Sequence, residues 1–119
     1  GLSMGGSQAL QIAMGHLEQF GSLGVFGSGI SRSDFDARYK SAIPELGKQE
    51  KRLAVVFVGV GKLDAVAKRT KELSETLTAH GVKNTFYETD GGHTYPVWRK
   101  LLVESAPLLF KKTERRASD

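Results

Sequence analysis

The sequence predicts an α/β fold, a parallel sheet of at least three strands flanked by helices. Two observations carry this. Two short apolar runs, 23–26 and 53–58, have the character of parallel strands buried in a sheet, and 82–89 reads as a third strand centred on Thr85-Phe86-Tyr87. Around them stand segments whose apolar residues recur at helical spacing, so strands and helices alternate as they do around parallel sheets.

The elements follow in order. Residues 6–17 read as a helix with Ala9, Leu10, Ile12, Ala13 and Leu17 as its buried stripe. Gly15 weakens its end, and His16 reads as a surface or cap residue. The short strand 23–26 runs into Gly27-Ser28-Gly29, at the sheet edge where open α/β sheets bind ligands. Ser28 is therefore a candidate substrate-binding residue. Residues 31–50 are polar and irregular, with a short helix over 33–39 capped by Ser33, then broken by Pro44 and Gly47. Phe35 and Tyr39 either contact substrate or pack this insertion down. The run 53–58 is β-branched and apolar throughout, which suits a central strand. An amphipathic helix over 65–79 turns Val66, Leu73 and Leu77 to the sheet and Lys68, Arg69, Lys71, Glu72 and Glu75 to water. His80-Gly81 ends it, with glycine free to take the left-handed cap. The strand 82–89 follows. Pro96 then opens a last helix whose apolar face is Trp98, Leu101, Leu102, Ala106 and Leu109.

The chemistry begins at the first residues. Gly1-Leu2-Ser3-Met4-Gly5 reads Gly-x-Ser-x-Gly, the pattern of a nucleophile elbow between a strand and a helix. Glycine on either side of the serine relieves collisions across the sharp turn, and the Met4 N–H points at a developing oxyanion. Five residues are a weak pattern, and a flexible Gly/Ser-rich terminus would match it as well. A serine nucleophile also needs a base and an acid, in the order Ser, acid, His for a hydrolase of this kind. Asp64 ends the Gly-rich stretch after the central strand, and His93 follows Gly91-Gly92 after the last one. Ser3, Asp64 and His93 are thus the candidate catalytic residues, with Met4 as oxyanion donor. Asp64 can equally cap the following helix, and the two roles are compatible. Asp34, Asp36 and Asp90 are rival acids. The first two follow no strong strand, and Asp90 lies too near His93 in a tight turn. Trp98 either anchors the last helix against the His93 loop or borders bound substrate.

Three segments together, 1–6, 59–64 and 91–98, resemble the esterase-D-like esterases of carbohydrate esterase family one, which include feruloyl and acetylxylan esterases. Residues 98–110 are similar to that family's last helix, so the resemblance covers about 1–110. It implies a partial α/β-hydrolase fold and a serine carboxylic-ester hydrolase working through a Ser-His-Asp triad, acting on feruloyl or acetyl esters of plant polysaccharide. No cofactor is implied. The family has several strands before the elbow and this sequence has none. The expectation is therefore the C-terminal portion of a catalytic domain over 1–110, followed by a basic polar tail over 111–119. A second oxyanion donor would come from an earlier loop. The competing expectation is a non-catalytic fragment that needs a partner chain. In both cases an open sheet edge implies a homo-oligomer or a complementing N-terminal half.

Composition narrows the rest. The 119 residues make one domain at most, with 39% hydrophobic residues to build a core. There is no cysteine, which excludes a thiol nucleophile and disulfides. Three scattered histidines imply no metal site. No apolar run is long enough to span a bilayer, so no membrane partner is expected. No signal peptide is read, and a chain opening inside a domain would carry none, so the compartment stays open. The net charge of +4 owes much to Lys48, Lys51 and Arg52 and to Lys111, Lys112, Arg115 and Arg116. These read as a solvated surface and tail. No nucleic-acid motif accompanies them, so no nucleic-acid partner is expected.

Overall fold

The computed structural model describes residues 1–48 and 53–111. Lys51, Arg52 and the tail from Lys112 onward lie outside the described residues. Three parallel strands, β1 (Ser22–Phe26), β2 (Val55–Gly61) and β3 (Thr85–Thr89), lie side by side in the order β1-β2-β3. The α/β class and the three-strand parallel sheet read from the sequence are those observed. β2 is central, and six of its seven residues are buried. That burial explains its unbroken apolar character. The strand also runs further than expected, because Gly59, Val60 and Gly61 pair with Tyr87, Glu88 and Thr89 and do not form a loop.

One face of the sheet is covered by α1 (Met4–Gly15), α2 (Arg32–Arg38) and α4 (Ala67–Ala79). Their core includes Leu10, Met14, Val25, Phe35, Val58, Leu73 and Leu77. The other face carries α5 (Tyr95–Ser105), where Val97, Trp98 and Leu101 pack on Phe26 and Phe57. A short α3 (Ile43–Leu46) closes the insertion.

Several local expectations are corrected. α1 starts immediately after Ser3, and its buried stripe is Leu10, Ala13 and Met14, continued by Leu17 beyond the helix end. Ile12 instead is 51% exposed, because starting the helix earlier does not alter its angular position, and that position looks away from the sheet. Replacing Leu73, wholly buried between α4 and the sheet, with alanine is expected to cost about 2–5 kcal/mol. The same change at Ile12 should stay within about 0.5 kcal/mol. Denaturant midpoints at unchanged m-value would check both.

The cap of α2 is Ser31, not Ser33. The Ser31 hydroxyl accepts from the Asp34 N–H at 3.2 Å, three residues on, while Ser33 already lies inside the helix. Ser31→Ala is expected to lower stability by about 1 kcal/mol, and Ser33→Ala to change the melting temperature far less. Pro44 opens α3, where its missing N–H is harmless, and does not break the chain there. Phe35 and Tyr39 are buried edge to face at 5.0 Å, so they pack the insertion onto the core. α5 ends at Ser105, and a turn of 3-10 helix carries Ala106–Leu108. Leu102 is 55% exposed and Ala106 lies at the surface, so the apolar face of α5 is narrower than read.

Candidate functional site

The C-terminal ends of the strands bring three loops together. Gly1 and Leu2 lie alongside β1, where the Phe26 N–H donates to Gly1 O at 3.0 Å and the Ser3 N–H to Phe26 O at 2.8 Å. The Gly1 nitrogen donates to Gly24 O at 2.9 Å. The chain then turns sharply into α1. Ser3 takes φ 51° and ψ −128°, a conformation that costs a side-chain-bearing residue about 1–3 kcal/mol. Its carbonyl accepts from the Gly6 and Ser7 N–H groups, so the serine also caps the helix. A side chain at Gly1 would run into the Gly5 backbone. Gly5 itself faces open space, so the expected collision on that side of the serine is absent. The crowded position is Gly6, where a Cβ would stand 2.9 Å from Ser28 Cβ.

The acid loop and the histidine loop interlock. The Lys62 N–H donates to Thr89 O at 2.8 Å and the Leu63 N–H to Gly91 O at 2.9 Å. A Cβ on Gly61 would strike the carbonyl of Gly91 and come within 2.7 Å of Gly92 O. This contact between backbones sets the distance from Asp64 to His93.

The three side chains meet. Ser3 Oγ lies 2.9 Å from His93 Nε2, and His93 Nδ1 lies 2.7 Å from Asp64 Oδ2. A carboxylate only accepts, so Nδ1 carries the proton and donates to Asp64. The neutral imidazole then presents Nε2 as acceptor to the Ser3 hydroxyl. The Asp64 side chain is 1% exposed, whereas that of His93 is 40% exposed. The other carboxylate oxygen, Oδ1, accepts from the Val66 N–H at 2.9 Å, in the turn before α4. Asp64 therefore bonds both the histidine and the turn, but it does not cap α4 as expected: the cap residue is Val66, and no side chain bonds that helix end. Met4 follows the serine at the helix start, and its N–H has no hydrogen-bond partner among the described residues. Such an N–H, at the positive end of a helix, suits an anionic oxygen.

The rival residues lie elsewhere. Asp36 pairs with His80 at 2.7 Å on the far side of α2, and Asp90 with Lys62 at 3.7 Å at the surface. Asp34 is exposed at the start of α2, and His16 pairs with Glu18 at 3.9 Å. Ser28 is buried and bonds the hydroxyl of Ser7 at 2.5 Å, without bonding Ser3 or His93. Ser7 had no signal in the sequence beyond its place one helical turn after Ser3. Trp98 stands edge to face against His93, with ring centroids 4.8 Å apart, and is 8% exposed. It anchors α5 to the histidine loop, the first of the two roles read for it.

A sheet of parallel strands with a strained serine at the mouth of one strand and a histidine–carboxylate pair beyond two others defines a hydrolase-like α/β protein. The chain belongs to the family described as "Putative esterase", whose model matches residues 1–109. Its fold is shared with solved structures of low identity. A ferulic acid esterase is 23% identical with a TM-score of 0.68, over 91% of this chain and 48% of that one. The S-formylglutathione hydrolase FrmB of Staphylococcus aureus is 16% identical with a TM-score of 0.71, over 91% and 48%. The fluorophosphonate-binding serine hydrolase F (FphF) of Staphylococcus aureus is 14% identical with a TM-score of 0.74, over 94% and 53%. The chain thus spans about half the length of each of these structures.

Proposed function

We propose that the protein is a serine carboxylic-ester hydrolase in which Ser3 is the nucleophile, His93 the general base and Asp64 the acid that orients it. The observation that carries this reading is the continuous chain of hydrogen bonds from Ser3 Oγ through His93 to Asp64. His93 Nε2 takes the hydroxyl proton as Ser3 Oγ bonds to the ester carbonyl carbon. Asp64 stabilises the imidazolium that results. The Met4 N–H donates to the oxyanion. Collapse breaks the bond to the alcohol, which leaves with the proton from His93. Water, deprotonated by the same nitrogen, then releases the acid and restores Ser3. The substrates proposed are feruloyl or acetyl esters of plant polysaccharide. Family membership and the fold shared with a ferulic acid esterase support the ester class.

The test is a serine-directed fluorophosphonate followed by mass spectrometry of the adduct. Labelling at Ser3 that disappears in His93→Ala is the expected result. A folded protein that stays unlabelled would overturn the reading.

A second reading is favoured by one surface. An apolar groove of about 400 Å³ runs between Gly1, Leu2, Phe26 and α5. Leu102 and Val103 on α5, and Met4 at the start of α1, are more than half exposed. We infer that a complementing N-terminal half, or a second copy of the chain, covers this groove and completes the sheet beside Leu2. Without it the chain would be a non-catalytic fragment. A stable monomer by size exclusion that also labels at Ser3 would rule this out.

A further inference from the structure

Gly27 follows β1 directly and takes φ 58°, in the left-handed region. A Cβ at this position would lie 2.9 Å from Trp98 Nε1, 3.2 Å from Asp64 Oδ2 and 3.5 Å from His93 Nδ1. Three polar atoms, from the acid loop, the histidine loop and α5, therefore converge on one bare α-carbon. Its backbone is held in place, since the Gly27 N–H donates to Gly59 O at 2.8 Å on the central strand. Trp98 adds a second observation. Its Nε1 is buried and has no hydrogen-bond partner among the described residues, although buried indole N–H groups usually find one. The indole is packed for its shape, with its ring against His93.

We propose that Gly27 and Trp98 are positioning residues for the Asp64–His93 pair. Trp98 backs the imidazole from the α5 side. Gly27 leaves the space in which carboxylate, imidazole and indole come together. A side chain there must displace Trp98, Asp64 or both, and the carboxylate is the partner that sets the angle of His93. The inference rests on the esterase reading only for its kinetic consequence, because the geometry concerns the pair itself.

The experiment compares wild type, Gly27→Ala, Trp98→Phe and the double variant. It reads kcat and KM on a chromogenic acetyl ester, thermal melting, and the far-downfield proton resonance of a carboxylate-bound His93 Nδ1–H. Gly27→Ala is expected to lower kcat by about 100-fold, the scale of a misplacement near 1 Å, with KM within about twofold. The Nδ1–H resonance should shift or vanish. Trp98→Phe removes the atom nearest the new methyl group, so the double variant should recover part of the lost kcat. A folded Gly27→Ala with wild-type kcat and an unmoved resonance overturns the proposal. Should Gly27→Ala fail to fold, Trp98→Phe alone decides: a moved resonance supports the proposal and an unmoved one overturns it. Failure of the esterase reading would look different, with no ester turnover in wild type while the resonance still reports on the pair.

Discussion

Ser3→Ala is expected to lower ester hydrolysis by about 10⁶-fold, the scale seen when a triad nucleophile is removed. The lost atom is the only protein atom in the proposed sequence of steps that bonds to the acyl carbon. Without it His93 has no proton to take, and the Met4 N–H has no tetrahedral adduct to stabilise. The substitution should barely change stability. Ser3 caps α1 through its carbonyl and makes no side-chain cap bond, so an alanine keeps the Gly6 and Ser7 hydrogen bonds. The φ of 51° is as strained for alanine as for serine. Reaction with a fluorophosphonate, followed under single-turnover conditions, checks this even where steady turnover is slow. Hydrolysis retained in Ser3→Ala would send the search for a nucleophile elsewhere.

Asp64→Asn should cost about 10⁴-fold in kcat with the fold preserved. The reason lies in the two separate bonds of the carboxylate. Oδ1 accepts from Val66 N–H, and the amide oxygen of asparagine can do the same. Oδ2 accepts from His93 Nδ1, and there the asparagine presents an N–H instead. Two donors cannot face each other, so the imidazole changes tautomer and turns its Nε2–H toward Ser3. The base then holds its proton where it should accept one. Asp64→Ala loses both bonds and leaves the Val66 N–H unpaired, which adds a stability loss of about 1–3 kcal/mol. Comparing kcat and melting temperature for the two variants separates the orienting role from the turn-holding one. Similar activity in Asp64→Asn and wild type would remove Asp64 from the mechanism.

Much of this protein was legible in its sequence. A strand covered on both faces must be apolar nearly throughout, so β2 stood out as a run without alternation, whereas the edge strand β3, with Thr85 and Glu88 exposed, was marked by its β-branched and aromatic residues. The order of serine, aspartate and histidine, each at a glycine-rich turn, marked the three residues that meet at the site. Local signals failed where several patterns coexist on a short segment. Ser31 and Ser33 are both good caps, and only the direction in which the chain enters α2 chose Ser31. Ile12 and Met14 are both apolar, and the placement of α1 on the sheet decided which of them is buried.

The tertiary structure alone decided the distances. Residues 3, 64 and 93 are far apart in the chain, and no spacing rule relates them. They meet because Leu2 bridges to Phe26 at the C-terminal end of β1, because β2 and β3 carry the turns that follow them to the same edge of the sheet, and because the bare backbones at Gly61, Gly91 and Gly92 let two loops touch. The surroundings of Gly27 show the same limit. In the sequence it is one glycine in a glycine-rich turn. Its closeness to Trp98, Asp64 and His93 depends on three other elements packing to within about van der Waals contact. Residue types and their order follow from the sequence, because they depend on neighbours along the chain. Closeness across the fold follows from packing, because it depends on all the elements at once.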